Sequence, residues 1–345
     1  MKNLIIPKDY RNMLTRESTE SAIKFIKDEF EKVLSQKLDL QRVTAPMLVL
    51  SGTGINDDLN GVEQPVRFPV GSLNSSGVEV VQSLAKWKRM KLARLDNEKI
   101  RGIYTDMNAL RPDEDLDNLH SVYVDQWDWE KVLDSSRRNL EVLKQEVRKI
   151  YRAIVETEVA LTERIPVLRP GLPQEITFVH SEELQAKYPG KTPKEREDLI
   201  TREYGAVFVI GIGHTLKDGA PHDHRAPDYD DWSSPTINGY KGLNGDILVW
   251  NPVLEKAFEI SSMGIRVSPA SLERQLHLCG QEKRKELPFH ARLLEGGMPQ
   301  TMGGGIGQSR LCMLYLQKAH IGEVQAGIWP DEMRDACEKH NIELL

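Results

Sequence analysis

The sequence predicts an α+β fold: one domain, with a mainly antiparallel sheet flanked by helices. Three observations predict it. Short stretches rich in Val, Ile and Phe lie between longer segments whose apolar residues recur at three- and four-residue steps. Several of the short stretches follow one another with only turns between them. "GDILVWNPVLEKAFEI" holds two joined by a brief connector, which favours antiparallel pairing over a series of parallel units needing a helix at each crossover. Finally, no internal repeat, low-complexity tract or long Pro/Ser linker divides the 345 residues, a length that suffices for one large core or two small domains.

The elements follow in order. Ile23, Ile26, Phe30, Val33 and Leu34 form one stripe of an amphipathic helix, expected to start near Ser18 or Thr19. "SLNSSG" (72–77) is a hairpin-sized loop. "SLAKWKRMKLAR" (83–94) carries Lys86, Lys88, Arg89 and Lys91, a run expected on a solvated helix face. Within "ALRPDEDLDNLHSVYVDQWDWE" (109–130), Arg111 sits at a strand end, and Asp113, Glu114 and Asp115 mark a solvated turn. A returning strand follows. Val122 and Val124 alternate with polar residues, as do Trp127 and Trp129, with a one-residue slip between the pairs, where a bulge is expected.

Leu140, Leu143, Val147, Ile150 and Ile154 define a longer helix closed by Pro166. "TPKE" (192–195) is a capping box with proline at the first helical position, and Gly205 ends that helix. "SPASLERQLHLCG" repeats the Ser-Pro start and Gly end. "EITFVH" (175–180), "AVFVIGIG" (206–213), "DILVW" (246–250) and "FEISSMGIRV" (258–267) are the remaining strands read here.

Composition bounds the function. With 39% hydrophobic and 28% charged residues the chain is ordinary for a soluble globular protein. A net charge of −6 does not favour non-specific nucleic-acid binding, which needs a basic surface. The three cysteines, Cys279, Cys312 and Cys337, are odd in number and lack a C-x-x-C spacing, which argues against a disulfide framework or zinc site and for a reducing compartment. The N-terminus has no apolar leader region and no window approaches 18 apolar residues, so a cytoplasmic protein without a membrane span is expected.

Two nucleotide motifs fail. "YPGKT" ends like a phosphate-binding loop, but Gln185 stands where the first glycine is required. "GIGQSR" has Gly305 and Gly307, but Arg310 occupies the third glycine position of a dinucleotide fingerprint. Another use of "GGGIGQSRL" stays open. Glycines let a strand backbone approach a flat ring, and Arg310 can stack on a base or pair with phosphate; a glycine-rich turn with a solvated arginine fits the residues as well. Asp246 and Glu259, on neighbouring strands, can share a divalent cation or form a surface pair. Asp57 and Asp58 read as a solvated acidic turn. His222 and His224 lack a third metal ligand, whereas Asp228, Asp230 and Asp231 with Arg225 read as a polar active-site loop.

Taken together, these segments resemble known motifs. Arg111 before an acidic loop and a returning strand resembles motif 2 of class II aminoacyl-tRNA synthetases. "GGGIGQSRL" resembles their motif 3, and "FEISSMGIRV" their Mg²⁺-binding strand. "VTAPMLVLSGTGINDDLNG", "HSVYVDQWDWE", "RAPDYDDW", "LNGDILVWNPVLE" and "MPQTMGGGIGQSRL" are similar to the aspartate–ammonia ligase family, the ammonia-dependent asparagine synthetases, along nearly the whole chain.

The resemblance implies a class II synthetase-like core, a homodimer and the conversion of L-aspartate, ATP and ammonia to L-asparagine, AMP and pyrophosphate through a β-aspartyl adenylate. It implies Mg²⁺ on Asp246 and Glu259, with ATP held by Arg111, Arg310, Gly304, Gly305 and Gly307. Asp57 would handle ammonia, and Gln126 would orient the β-carbonyl. Ser83, Lys88, Asp128 and Asp230 would bind aspartate, and Ser261 and Ser262 would line the site.

Two rivals share the core. An aspartyl- or asparaginyl-tRNA synthetase needs an anticodon-binding module, for which residues 1–345, read as a single catalytic domain, leave no room. A synthetase-like paralogue that binds a ligand and regulates another protein is disfavoured by the presence of Arg111, Asp246, Glu259 and Arg310. A glutamine-dependent enzyme is disfavoured because residue 2 is Lys2 rather than a nucleophilic cysteine.

Overall fold

A computed structural model describes residues 4–56, 59, 63–73 and 77–345. Its strands are β1 (Gln41–Arg42), β2 (Leu48–Leu50), β3 (Arg67–Pro69), β4 (Gly77–Val80), β5 (Gly102–Leu110), β6 (Tyr123–Val132), β7 (Thr177–His180), β8 (Ala206–Ile210), β9 (Asn244–Asn251), β10 (Lys256–Ile265) and β11 (Thr301–Gly307). The helices are α1 (Arg16–Leu38), α2 (Ala85–Leu92), α3 (Leu140–Arg164), α4 (Ser181–Lys187), α5 (Pro193–Tyr204), α6 (Pro269–Leu278), α7 (Pro288–Leu294), α8 (Gln308–Tyr315) and α9 (Asp331–Lys339). Eight strands form one sheet in the order β1-β5-β6-β11-β10-β9-β8-β7, in which β1–β5 and β7–β8 pair parallel and the central pairings are antiparallel. β2, β4 and β3 make a small antiparallel sheet beside it.

The expected helices are present, with one boundary moved. α1 begins at Arg16 because the Thr15 hydroxyl accepts the Ser18 amide at 3.2 Å. The cap therefore lies three residues before the predicted start, ahead of the first apolar repeat. α5 begins and ends where its sequence signals place it. Thr192 and Glu195 cap each other's amides, Pro193 follows, and Gly205 closes the helix at φ +75°.

α1 and α3 cover one face of the sheet. Ile26, Phe30, Leu34 and Leu38 from α1 and Leu143, Val147, Ile150 and Ile154 from α3 are buried against Trp127, Trp129, Phe208, Ile247 and Ile306. The Phe30 and Trp127 rings lie 4.6 Å apart. The other face carries α2 and α5, and between them it stays open.

The predicted bulge in β6 is absent. Pairing with β5 runs unbroken from Gly102↔Lys131 to Leu110↔Tyr123, so Val124 and Trp127 point to opposite faces. The strand is central and has apolar neighbours on both sides: Trp127 in the core, Val124 against Val81, Leu84, Met107 and Ala109. Its apolar residues therefore need not share one parity. The sheet's register shift lies instead in β10, between Glu259 and Ser261. Among the described residues, no helix is long and apolar enough to cross a membrane.

Replacing Phe30 with alanine removes the contact that locks α1 to β6. We expect it to cost about 3–5 kcal/mol of unfolding free energy, read from urea denaturation.

Candidate active site

On the open face lies a cavity of about 300 Å³. Strand parity builds its floor. On β6, Gln126, Asp128 and Glu130 point to the open face because Trp127 and Trp129 point into the core. Cross-strand register then aligns Asp128 with Gly305 on β11, Gly305 with Ser262 on β10, and Ser262 with Asp246 on β9. One row of the sheet thus runs Asp128–Gly305–Ser262–Asp246.

The glycines make room for their neighbours. A Cβ on Gly305 would stand 2.3 Å from Gln126 Oε1, and one on Gly303 would stand 2.0 Å from Glu130 Oε2. The side chains of β6 therefore lie across β11, in part of the space that the sequence reading gave to a flat ring. Gly304 faces the opposite side, where a Cβ would meet that of Met263 at 2.5 Å. Its carbonyl accepts the Lys88 ammonium at 3.1 Å.

Glu259 reaches the same face through the bulge. It lies three residues before Ser262, an odd step that would put it on the other face of a regular strand. The extra residue between Glu259 and Ser261 restores it to the Asp246 side, opposite Leu248. Arg225 donates to Asp246 Oδ2 at 2.5 Å, while Asp246 Oδ1 is buried without a hydrogen-bond partner. Burial, opposed by Arg225 and reinforced by the Glu259 charge, pushes the Asp246 carboxyl up to about 6. Burial also acts against ionisation of Glu259, but Arg310, Arg225 and Lys194 outweigh it and bring that carboxyl down to about 2. Arg310 donates to the Glu259 carbonyl at 3.0 Å and lies 3.7 Å from its carboxylate.

The basic run on α2 is not a solvated face. Lys86, Lys88 and Arg89 are only 2%, 1% and 3% exposed. The helix drives them inward because buried acceptors await them. Lys86 pairs with Asp228 at 3.0 Å and Lys88 pairs with Asp128. Arg89 donates to the carbonyls of Val267 and Pro299 at 2.7 and 3.0 Å, and burial brings its guanidinium down to about 10. Burial likewise lowers Lys88, against the pull of Asp128.

The acidic loop at 228–231 also divides differently from its sequence reading. Only Asp230 of its three acids lines the cavity, paired with Arg266. Asp228 binds Lys86, Arg284 and His290 beside a second cavity of about 230 Å³, and Asp231 binds Arg138. His222 is buried against Glu197 at 3.0 Å, and no metal-binding group of three or more His, Cys, Asp or Glu occurs among the described residues. The turn acids Asp113 and Glu114 line the cavity, and Asp113 also accepts the Gln64 amide at 2.8 Å.

Arg111, Gln126, Arg310, Gly304, Gly305, Gly307, Ser83, Lys88, Asp128, Asp230, Ser261, Ser262 and Glu259 all line the one cavity. Asp246 stands behind it, joined through Arg225. Asp57 lies outside the described residues. Arg111 Nη2 reaches the Gln82 carbonyl at 3.4 Å, its Nε has no partner, and it makes no salt bridge among the described residues.

Sequence reasoning missed Arg266 and Glu130. Arg266 grips Glu130 through Nε and Nη2, at 2.8 Å for the latter, and all three members of the Glu130–Arg266–Asp230 triad are buried. The available signal was a lone arginine closing the apolar stretch "SMGIRV".

The chain matches a family model described as aspartate-ammonia ligase over residues 17–341. It is 60% identical to the aspartate–ammonia ligase of Parabacteroides distasonis and 55% identical to that of Bacteroides thetaiotaomicron, each over 345 residues and the whole of both chains. Among solved structures, it is similar in fold to asparaginyl-tRNA synthetase from Pyrococcus horikoshii complexed with asparaginyl-adenylate. The TM-score is 0.67 at 16% identity, covering 90% of this chain and 70% of that one. The asparaginyl-tRNA synthetase of Entamoeba histolytica in complex with asparaginyl-adenylate gives 0.66 at 14% identity, covering 90% and 66%. The expected class II synthetase-like core is therefore the fold.

Replacing Arg266 with methionine leaves Glu130 and Asp230 buried without their cation, an expected loss of about 3–5 kcal/mol. Burial already raises Asp230 while Arg266 opposes it. In the variant the folded state holds a proton on Asp230 more tightly than the unfolded chain does. Its deficit relative to the parent is therefore greatest above the raised pKa and shrinks as pH falls through it. Urea unfolding at pH 8 and pH 5 checks the sign.

Proposed function

The chain belongs to the aspartate–ammonia ligase family, and we propose that it makes L-asparagine from L-aspartate and ammonia by activating the β-carboxylate with ATP, releasing AMP and pyrophosphate. One observation carries this reading beyond the family: a single cavity gathers two guanidinium groups distant in sequence, Arg111 and Arg310, with the Lys88–Asp128 and Arg266–Asp230 pairs. The guanidiniums suit a polyphosphate and the ion pairs an amino acid carrying both charges.

A carboxylate is a poor acylating agent because its oxygen is a poor leaving group. In the first step a β-carboxylate oxygen of aspartate attacks the α-phosphorus of ATP. The bond from that phosphorus to the bridging oxygen breaks, and pyrophosphate leaves with the electron pair. Two anions must meet, so fixed positive charge is needed where they do. Arg111 suits this task because no acid already claims its guanidinium among the described residues. Arg310, at the start of α8 and beside Glu259, holds the nucleotide.

In the second step the nitrogen lone pair of ammonia attacks the β-carbonyl carbon. The bond to the phosphate oxygen breaks, AMP departs, and a proton passes from nitrogen to a base. By the family resemblance Asp57 binds ammonium and accepts one proton as it becomes the nucleophile, and the proton lost after attack passes to water. Gln126, held across β11 beside Gly305, orients the carbonyl oxygen. Lys88 receives the aspartate α-carboxylate, while Asp128 and Asp230 receive its α-ammonium. Ser83 and Ser262 complete the pocket beside them, with Ser261 contributing backbone.

The residues also fit Mg²⁺. Asp246 Oδ1 is a buried acceptor without a donor, Glu259 is held ionised, and both supply the hard oxygens that this ion prefers. Bound there, Mg²⁺ would draw off negative charge from the leaving pyrophosphate. Because Asp246 takes up its proton near pH 6, metal-dependent nucleotide affinity should weaken as pH falls below about 6. The reading includes a cytoplasmic homodimer, for which exposed Met47, Leu48 and Leu50 offer apolar surface.

Purified protein with L-aspartate, ATP, Mg²⁺ and ammonium should yield asparagine and AMP, whereas glutamine in place of ammonium should not. Formation of ADP and phosphate would refute the adenylate. Arg111→Ala should lower aspartate-dependent ATP–pyrophosphate exchange by about 10²–10³-fold with the fold retained. Asp57→Asn should slow amide formation more than exchange; equal losses in both would remove its role with ammonia.

A further inference from the structure

Adenylate formation ends with a highly charged product that must be held and then released. The cations that line the cavity are largely committed. Lys88 faces Asp128, Arg266 faces Glu130 and Asp230, Arg225 faces Asp246, and Arg310 lies against Glu259. Arg111 is assigned to the α-phosphate. The distal phosphates call for a further cation near Asp246 and Glu259, at the solvent side.

The fold places one there. α5 leads through Gly205 alone into β8, so it runs antiparallel to that strand. β8 and β10 run in the same direction, because each is antiparallel to β9. Moving toward the N-terminus of α5 therefore means moving along β10 toward Glu259. Asp198 pins the register: its carboxylate accepts the Ala257 amide at 2.8 Å. Lys194 lies one helical turn before Asp198 on the same stripe, a rise of about 6 Å. Glu259 lies two strand residues beyond Ala257, a rise of about 6.7 Å. Lys194 thus stands abreast of Glu259.

Electrostatics agree with this placement. The Lys194 charge helps keep Glu259 ionised, and Glu197, Glu259 and Asp223 in turn favour the charged form of the lysine. Glu197, 3.1 Å from the ammonium, is shared with His222. The Lys194 side chain is 71% exposed. A long, exposed ammonium beside Glu259 and Asp223, which line the cavity, suits a group that must grip an anion and let it go, whereas the buried guanidiniums suit fixed recognition. The amino end of α5, whose dipole favours anions, lies one residue away.

We propose that Lys194 binds the β- and γ-phosphates of ATP and then the pyrophosphate they become. The proposal rests on the ATP-dependent reading above and deepens it.

AMP separates this role from a general one, since it lacks both distal phosphates. For Lys194→Ala, KM for ATP and the inhibition constant of inorganic pyrophosphate should each rise by about tenfold, the scale of one lost charge-assisted bond. Inhibition by AMP, KM for aspartate and the melting temperature should stay unchanged, and Lys194→Arg should restore most of the affinity. Unchanged pyrophosphate and ATP constants, or an equal loss for AMP, would overturn the assignment. If the wild-type protein forms no AMP, the ATP-dependent reading fails instead. Calorimetry with inorganic pyrophosphate alone on wild type and Lys194→Ala then judges the lysine by itself, and equal binding to both rejects it.

Discussion

The open face of the sheet depends on one constraint: charge placed inside the protein must be paired. Glu130 and Asp230 are both buried and meet on Arg266, while Lys88 is buried on Asp128. Any one of these groups alone would neutralise itself or pull the structure apart to reach water. Together they tie β6, β10, α2 and the loop carrying Asp230 into one frame. That frame is also the wall of the cavity, so the ion pairs serve the site and the fold at once. Their geometry is set before a substrate arrives, which is what electrostatic preorganisation requires.

β11 makes that arrangement possible. A central strand normally fills both faces with side chains. Here Gly303 and Gly305 leave the open face bare, and Glu130 and Gln126 lie across them. Gly304 serves the opposite face, where Met263 leaves no space. The run of three glycines therefore answers two packing demands on two sides of the sheet. Its service to a nucleotide, in the proposed reading, follows from the same flatness.

Much of this was legible in the sequence, and what was not has a common cause. The capping box of α5, its closing glycine and the hairpin around the 113–115 turn are local signals, and they landed where expected. Almost all the candidate site residues fall on one cavity because long, specific motifs carried them. Three features escaped. Lys86, Lys88 and Arg89 read as a solvated run because their partners are far away in sequence: Asp228, Asp128 and the carbonyls of Val267 and Pro299. The unbroken β6 ladder escaped because a strand covered on both faces has no parity for hydrophobicity to report. Arg266 escaped because a single residue gives no period. In each case the deciding neighbour lies far away in the sequence, and local pattern cannot supply it.

The bulge in β10 shows how far such a nonlocal detail can reach. Asp246 and Glu259 are separated by a turn and sit on adjacent strands, so their relation is fixed by register alone. In a regular ladder Glu259 would share a face with the core, and a buried carboxylate would confront Phe258 and Ile260's apolar neighbours without a cation. One extra residue reverses this and brings it beside Asp246, Arg225 and Arg310. The pair then differs sharply in acidity although both are carboxylates on one face. Asp246 is enclosed and reluctant to ionise; Glu259 is ringed by cations and stays charged. A site of this kind has one permanent anion and one that responds to its occupant. The proposed ion and the phosphates would arrive at an arrangement already biased toward charge at Glu259, beside Arg310, Arg225 and Lys194.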